Sequence, residues 1–186
     1  MFRSIKNIIN YIFQRVYVNE TIILFELKKL KKQNSIAIVK NATFENLNDI
    51  LSFQDLKFIK VFENFLKIGD TGYLGYIEKE CVHRSWVQSN NQTVDLPLSI
   101  PYKLKDNEIF IHYCETSHKA RGKNIYPHVL CHIAEEFKEK KILITTTKNN
   151  IASIKGMRKV GFVPRETIHI FILLGFKFKR DLYNDK

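Results

Sequence analysis

The sequence predicts a mixed α/β fold of the α+β kind: a central mixed, mostly antiparallel sheet with helices on both faces, plus an added amphipathic helix at the start. Three observations carry this expectation. Short runs with apolar residues at every second position alternate with runs in which they recur at helical spacing. A strand, a helix and a second strand follow one another in mid-chain, as a parallel crossover unit requires. Further strand-like runs stand on both sides of that unit, so the sheet is mixed rather than purely parallel.

Residues 1–18 supply the amphipathic helix. Phe2, Ile5, Ile9, Ile12, Phe13 and Val16 recur at helical spacing, with Arg3, Lys6 and Arg15 among the other positions. Such a helix either packs on the protein's own core or docks on a partner or an anionic membrane surface. Residues 21–27 and 36–40 read as short strands with a Lys-rich turn between them. Residues 45–66 carry Leu47, Ile50, Leu51, Leu56, Ile59, Phe62 and Phe65 in a helical pattern, broken near residues 53–55. Residues 73–80 and 81–88 pair antiparallel, without a standard two-residue hairpin sequence between them. Residues 89–101, with Asn90, Asn91, Pro97 and Pro101, read as a lid or substrate loop. A strand over 108–116, a helix over 124–139 and a β-branched strand over 142–147 make the central unit. Residues 150–160 are a helix closed by Gly161, and an apolar strand over 167–174 continues past Gly175 to Phe178.

In this reading residues 1–186 form one domain, long enough to bury roughly 70% of its unfolded surface without disulfides or metals. An apolar content of 45% with 26% charged residues excludes a disordered chain. Thirty Lys and Arg against nineteen Asp and Glu leave a net charge of +11, which draws anionic partners such as phosphorylated cofactors, nucleic acid or anionic membranes. The lysine runs at 28–32 and 138–141 flank elements and read as solvated faces. Cys81, Cys114 and Cys131 are odd in number and far apart, which speaks against a disulfide framework and for a reducing compartment, the cytoplasm by default. No run of about 18 apolar residues is present. His128, Cys131 and His132 share a helix face but have no fourth ligand, so no metal is expected.

The stretch richest in chemistry is the charged turn Lys119-Ala120-Arg121-Gly122-Lys123-Asn124-Ile125-Tyr126, between an alternating apolar run and a helical one. A helix amino terminus presents unpaired N–H groups and a partial positive charge, so a turn leading into it can hold a pyrophosphate. Arg121 and Lys123 add full charges, and Gly122 permits close backbone approach. The segment resembles the acetyl-coenzyme A loop of the GNAT acetyltransferase superfamily, [QR]-x-x-G-x-[GA]. Arg121 matches its first position, while Asn124 and Tyr126 replace the small residues at the fourth and sixth. Asn150, Ser153, Gly161 and Phe162 resemble the family's N-x-x-[AS]…G-F segment, although Asn150 also suits a simple helix cap.

The resemblance implies a GNAT fold, acetyl-coenzyme A as co-substrate, and transfer of acetyl to a primary amine by direct attack. The loop's Arg-Gly-Lys…Tyr-Pro form is similar to that of GNAT enzymes of surface-polysaccharide pathways, which implies an amino sugar or another small amine as acceptor. By the same resemblance Thr116, Arg121, Gly122, Lys123, Asn124, Ile125, Tyr126, Asn150 and Ser153 bind the cofactor, Thr116 through a backbone N–H that meets the thioester carbonyl. Family members often keep a Tyr where this chain has Met157, so the proton for the leaving thiolate comes from Tyr126, Tyr113, water or no donor at all. Alternation along the strand puts Phe110, His112, Cys114 and Thr116 on one face. His112 is therefore the first candidate base, ahead of Glu115, which a bulge would re-aim, and Glu108. A water chain is the remaining option, and Cys114 a remote candidate nucleophile. Two rival functions stand beside this one: a GNAT-like fold that binds coenzyme A without catalysis, and a basic nucleic-acid-binding protein.

Overall fold

The computed structural model describes residues 17–89, 93–174 and 176–182. Its elements are β1 (Tyr17–Leu27), β2 (Ile38–Asn41), a 3₁₀ segment (Leu47–Ser52), α1 (Lys57–Lys67), β3 (Thr71–Ile77), β4 (Glu80–Gln88), β5 (Thr93–Leu96) and β6 (Ile100–Lys103). There follow β7 (Glu108–Thr116), a short 3₁₀ turn (His118–Ala120), α2 (Ile125–Glu136), β8 (Lys141–Thr147), α3 (Ile151–Val160), β9 (Phe162–Leu173) and β10 (Phe176–Leu182). Eight strands make one sheet in the order β10-β9-β1-β8-β7-β4-β3-β2, with β5 and β6 as a separate hairpin. Every neighbouring pair in the large sheet is antiparallel except β7 and β8, joined through the α2 crossover.

Alternation along the strands sends side chains to two different cores. One face is covered by α2 and α3, where Phe25, Tyr73, Ile111 and Ile144 meet Val129, Ile133 and Val160. The opposite face is covered in two parts. Over β3 and β4, the 3₁₀ segment and α1 bring Ile50 and Phe62 onto Leu74 and Trp86. Over β1, β8 and β9, the β5–β6 hairpin sets Val94, Leu96 and Ile100 on Ile22, Leu143 and Ile170. Tyr73 and Trp86 are thus core residues, both fully buried.

Several expectations change here. Most of the expected amphipathic helix, residues 1–16, lies outside the described residues. Tyr17 and Val18 open β1 instead, where they extend its ladder with β9 as far as Leu173. The two first strands are not neighbours: β1 sits between β8 and β9, while β2 is the far edge beside β3. The Lys-rich stretch between them runs back to cap α3, with the Lys31 N–H donating to Val160 O at 2.8 Å and the Lys28 N–H to Gly161 O at 3.4 Å. His128 and Cys131 hold that stretch in place, His128 Nδ1 meeting Gln33 O at 3.0 Å and Cys131 Sγ donating to Lys31 O at 3.5 Å. The expected loop over 89–101 contains strand β5 and the start of β6, because Val94, Leu96 and Ile100 alternate inward.

Candidate functional site

β7 and β8 part company before either ends. Their parallel pairing runs from Glu108 and Lys141 to Ile111 and Ile144, yet β7 continues to Thr116 and β8 to Thr147. From His112 onward β7 stays with β4 alone, and the pairing slips by one residue: Trp86 faces His112, but Arg84 faces Glu115. The extra residue is a bulge at Tyr113, whose φ of +47° lies in the left-handed region that an aromatic residue rarely enters. Buried Arg84 pins it. Its guanidinium donates to Tyr113 O, to Gln54 Oε1 at 2.9 Å and to Glu115 Oε2 at 2.9 Å. The bulge breaks the expected alternation. His112 turns toward α1, with its ring 5.0 Å from that of Phe65, while Cys114 packs with the α2–α3 core.

On the α2–α3 face the parting strands open a cleft of about 510 Å³. The chain crosses its mouth as Arg121, Gly122 and Asn124, then enters α2. Gly122 has φ +82°, and an added Cβ would meet nothing within 4 Å, so the backbone is open to a ligand. Asn124 takes the left-handed conformation at φ +58° as the residue preceding α2. Its side chain is held by Asn34 O at 3.0 Å, and its Oδ1 accepts from Lys159 Nζ at 3.3 Å. Lys155 and Lys159 of α3 stand with Arg121 around this cleft, so three cations face one helix amino terminus. Asn150 caps α3 by accepting from the Ser153 N–H at 3.1 Å and also lines the cleft. The Ser117 N–H donates to Val82 O on β4 at 2.8 Å. Alternation therefore turns the Thr116 N–H and C=O to the other edge, where Thr116 O accepts from Arg121 Nε at 3.4 Å.

A second cleft of about 520 Å³ opens on the opposite face, beneath the turn of the β5–β6 hairpin. His112, Tyr113 and Thr146 form its floor, and Asp95 and Ser99 its hairpin side. Behind His112 lies buried Asp70, its Oδ2 3.1 Å from His112 Nε2 but off the hydrogen-bond direction, so the contact is one of charge proximity. The two clefts share Cys114, Tyr126, Asn150 and Ser153. The two clefts therefore adjoin where β7 and β8 are no longer paired.

The fold matches known structures. An acetyltransferase of the GNAT family from Colwellia psychrerythraea superposes with a TM-score of 0.60 at 13% identity, over 93% of this chain and 61% of that one. The fold is that of the GNAT acetyltransferases. AAC(6')-Iy, in complex with the bisubstrate analog CoA-S-monomethyl-acetylneamine, gives a TM-score of 0.52 at 12% identity, over 68% of this chain and 90% of that one. A GCN5-related glucosamine N-acetyltransferase region in a fungal multi-domain β-N-acetylglucosaminidase gives 0.63 at 7%, over 93% of this chain and 23% of that one. The chain thus spans less than two thirds of the Colwellia and fungal proteins. No protein-family model matches the sequence, and no curated protein matches it.

Within this GNAT fold, Thr116, Arg121, Gly122, Asn124, Ile125, Tyr126, Asn150 and Ser153 all line the first cleft. Lys123 does not; it is exposed, and its carbonyl accepts from Ser35 Oγ at 2.9 Å. Glu115 lies at the edge of the first cleft and His112 in the second. Glu108 comes to neither. It is buried at the opposite end of β7, 2.8 Å from Arg165 Nη1. Burial alone would raise its carboxyl, but that guanidinium and the Lys105 N–H outweigh burial and hold it below the usual range. Burial pushes the Cys114 thiol up to about 11, against hydrogen bonding from Ser85, which leaves it protonated near neutral pH and unsuited to attack.

His83, Lys155 and Lys159 line the first cleft and Asp70 backs the second, and none of the four was marked in the sequence. His83 is fully buried in the wall of the first cleft, Nδ1 2.7 Å from Thr116 Oγ1 and Nε2 2.8 Å from Ser85 Oγ. Burial, then the charge of Arg84, lowers its pKa from 6.5 to about 3. The unfolded chain therefore binds one more proton than the folded one between those values, and stability drains away as the pH falls below 6.5. Going from pH 6.5 to about pH 5 should remove about 2 kcal/mol through this group. Denaturant titrations at the two pH values should show the loss in the native chain and a smaller one in His83→Gln. Equal losses in both would show that His83 does not carry the pH dependence.

Proposed function

We propose that this chain is an acetyl-coenzyme A-dependent N-acetyltransferase that acts on a small primary amine, with an amino sugar as the acceptor class. The observation that carries the reading is the meeting of two clefts through one gap in the sheet, one cationic at a helix amino terminus, the other with a carboxylate-backed histidine. The first cleft fits a phosphorylated carrier. Arg121, Lys155 and Lys159 supply charge, α2 supplies its amino-terminal dipole, and Gly122 leaves its backbone open. Once bound, acetyl-coenzyme A supplies an activated acetyl thioester.

The chain's own residues then divide the work. The Thr116 N–H, facing the gap, donates to the thioester carbonyl oxygen and stabilises the charge that develops there. His112, backed by Asp70, takes the proton of the attacking amine, with Glu115 as the second candidate. Tyr126, common to both clefts, gives its hydroxyl proton to the departing sulfur. The acceptor cleft mixes apolar Leu96, Leu98 and Phe110 with polar Asp95, Ser99 and Thr146, a lining suited to a hydroxylated ring that carries a cationic amine. The fungal neighbour named as a glucosamine N-acetyltransferase region points the same way.

Acetyl-coenzyme A should raise the thermal midpoint. At about 100 times its dissociation constant it adds about 2.7 kcal/mol, a shift of roughly 5–10 °C for a chain of this size. The double variant Lys155→Glu/Lys159→Glu should need at least about tenfold more ligand for the same shift. Absence of a shift at millimolar ligand sinks the proposal. A shift without turnover on amino sugars or small aliphatic amines would leave a coenzyme A-binding module, the reading favoured by burial of Met157 in the core where the family's usual Tyr would stand.

A further inference from the structure

Past Ile111, strand β7 has a neighbour on one edge only. Its pairing with β8 ends at Ile144, so the stretch from His112 to Thr116 lies beside β4 alone. Thr116 stands at the end of that stretch and lines the first cleft. A strand end without a second set of ladder bonds is free to move. Yet the N–H on which the proposed reaction depends belongs to this residue and points away from β4, where no ladder bond fixes it.

A side chain supplies the hold that the ladder lacks. His83 and Thr116 are directly opposite in the β4–β7 register. The Ser117 N–H bond to Val82 O makes them a non-hydrogen-bonded pair, the kind whose side chains stand closest. His83 Nδ1 lies 2.7 Å from Thr116 Oγ1 and its Nε2 2.8 Å from Ser85 Oγ. A neutral imidazole donates through one nitrogen and accepts through the other, so one ring serves both hydroxyls. Burial, then the Arg84 charge, keeps it neutral at ordinary pH. The ring is also boxed in. The Tyr126 ring is centred 6.0 Å away, and opposite on β3 a Cβ at Gly75 would stand 3.1 Å from His83 Cβ. His83 therefore has one direction open to it, and Thr116 lies along it.

We propose that His83 is a positioning residue, which through Thr116 Oγ1 holds the Thr116 N–H aimed into the gap between β7 and β8. The inference rests on the acetyl-transfer reading, and His83 acts through Thr116 rather than on the reacting atoms. A hydrogen-bond donor to a developing oxyanion works only from the right place, and a displacement of about 1 Å can cost 10²-fold in rate.

Two amides separate the ring's two bonds. His83→Asn puts a polar atom near the position of Nδ1 and keeps the bond to Thr116, whereas His83→Gln reaches the position of Nε2 and keeps only the bond to Ser85. His83→Gln should lower kcat by about tenfold or more with acetyl-coenzyme A affinity and acceptor KM within about twofold, while His83→Asn should stay within about threefold of the native rate. Thr116→Val removes Oγ1, keeps the N–H and leaves the buried ring in place. It should match His83→Gln, and the double variant should be no slower than either alone. A second readout needs no ligand: the ¹⁵N order parameter of Thr116 should fall from about 0.85 toward 0.6 in His83→Gln and hold in His83→Asn. Equal rate losses in His83→Gln and His83→Asn, losses that multiply in the double variant, or an unmoved order parameter in His83→Gln each overturn this role and leave acetyl transfer standing. A native chain that binds acetyl-coenzyme A without turning over any amine overturns the acetyl-transfer reading and this role with it.

Discussion

Gly161→Ala should lower the thermal midpoint by about 10 °C. Gly161 closes α3 at φ +107°, a conformation that costs an L-residue roughly 1–2 kcal/mol. Steric overlap costs more. A Cβ there would stand 1.9 Å from Lys29 O, a backbone atom in the stretch that caps α3. That stretch would have to move, at the expense of the Lys31 N–H bond to Val160 O and the Gln33 side-chain bond to Lys159 O. Together these amount to about 3–5 kcal/mol, at roughly 2–4 °C per kcal/mol for a domain of this length. Gly122→Ala is the control: its φ is also positive, but its Cβ would meet open space, so it should cost only about 1 kcal/mol. If the two variants melt together, the contact with Lys29 does not matter.

That contact also shows why part of the fold was legible in sequence and part was not. Strand β7, helix α3 with its Asn150 cap and Gly161 stop, and the break between the 3₁₀ segment and α1 all follow local rules of spacing and capping. Pairing does not. The lysines at 28–32 look like a turn because they are charged and lie between two apolar runs, whereas their backbone bonds go to the end of a helix more than a hundred residues later. β1 finds partners only once β8 and β9 exist, and no local signal in residues 17–27 names them. The β5–β6 hairpin was hidden by its prolines and asparagines. Its Val94, Leu96 and Ile100 become strand residues because an uncovered sheet face awaits them.

The site divides the same way. The charged turn announces itself because Arg121, Gly122 and Asn124 lie within one short segment at a helix start. Lys155 and Lys159 do not, since their alignment with Arg121 depends on how α3 packs beside α2. His83 gives no sequence signal at all; only the pairing of β4 with β7 sets it beneath Thr116. The bulge at Tyr113 explains the altered facing of β7. It is held by the hydrogen bonds of the buried Arg84 guanidinium, which no reading of residues 108–116 could anticipate, and it parts His112 from Cys114.

Tyr126→Phe should lower kcat by about 10²-fold or more while leaving the affinity for acetyl-coenzyme A within about twofold, if Tyr126 is the proton donor to the leaving sulfur. Its hydroxyl lies 3.3 Å from Ser153 Oγ, and burial holds its pKa well above the usual phenol range. It therefore keeps its proton throughout any practicable assay range, and the loss should be the same at every pH. The ring reaches this place because α3 has a glycine beneath it: a Cβ on Gly156 would come within 2.7 Å of Tyr126 Cδ1 and 2.9 Å of Cε1. A mid-helix glycine costs about 1 kcal/mol relative to Ala, so Gly156→Ala would gain helix propensity were the site idle. With the ring in its way it should instead displace Tyr126 and reproduce much of the rate loss, though the hydroxyl is still present. Full activity in Tyr126→Phe would hand the proton to water or leave the thiolate to depart unaided. Full activity in Gly156→Ala alone would show that the ring can shift without moving its proton out of reach.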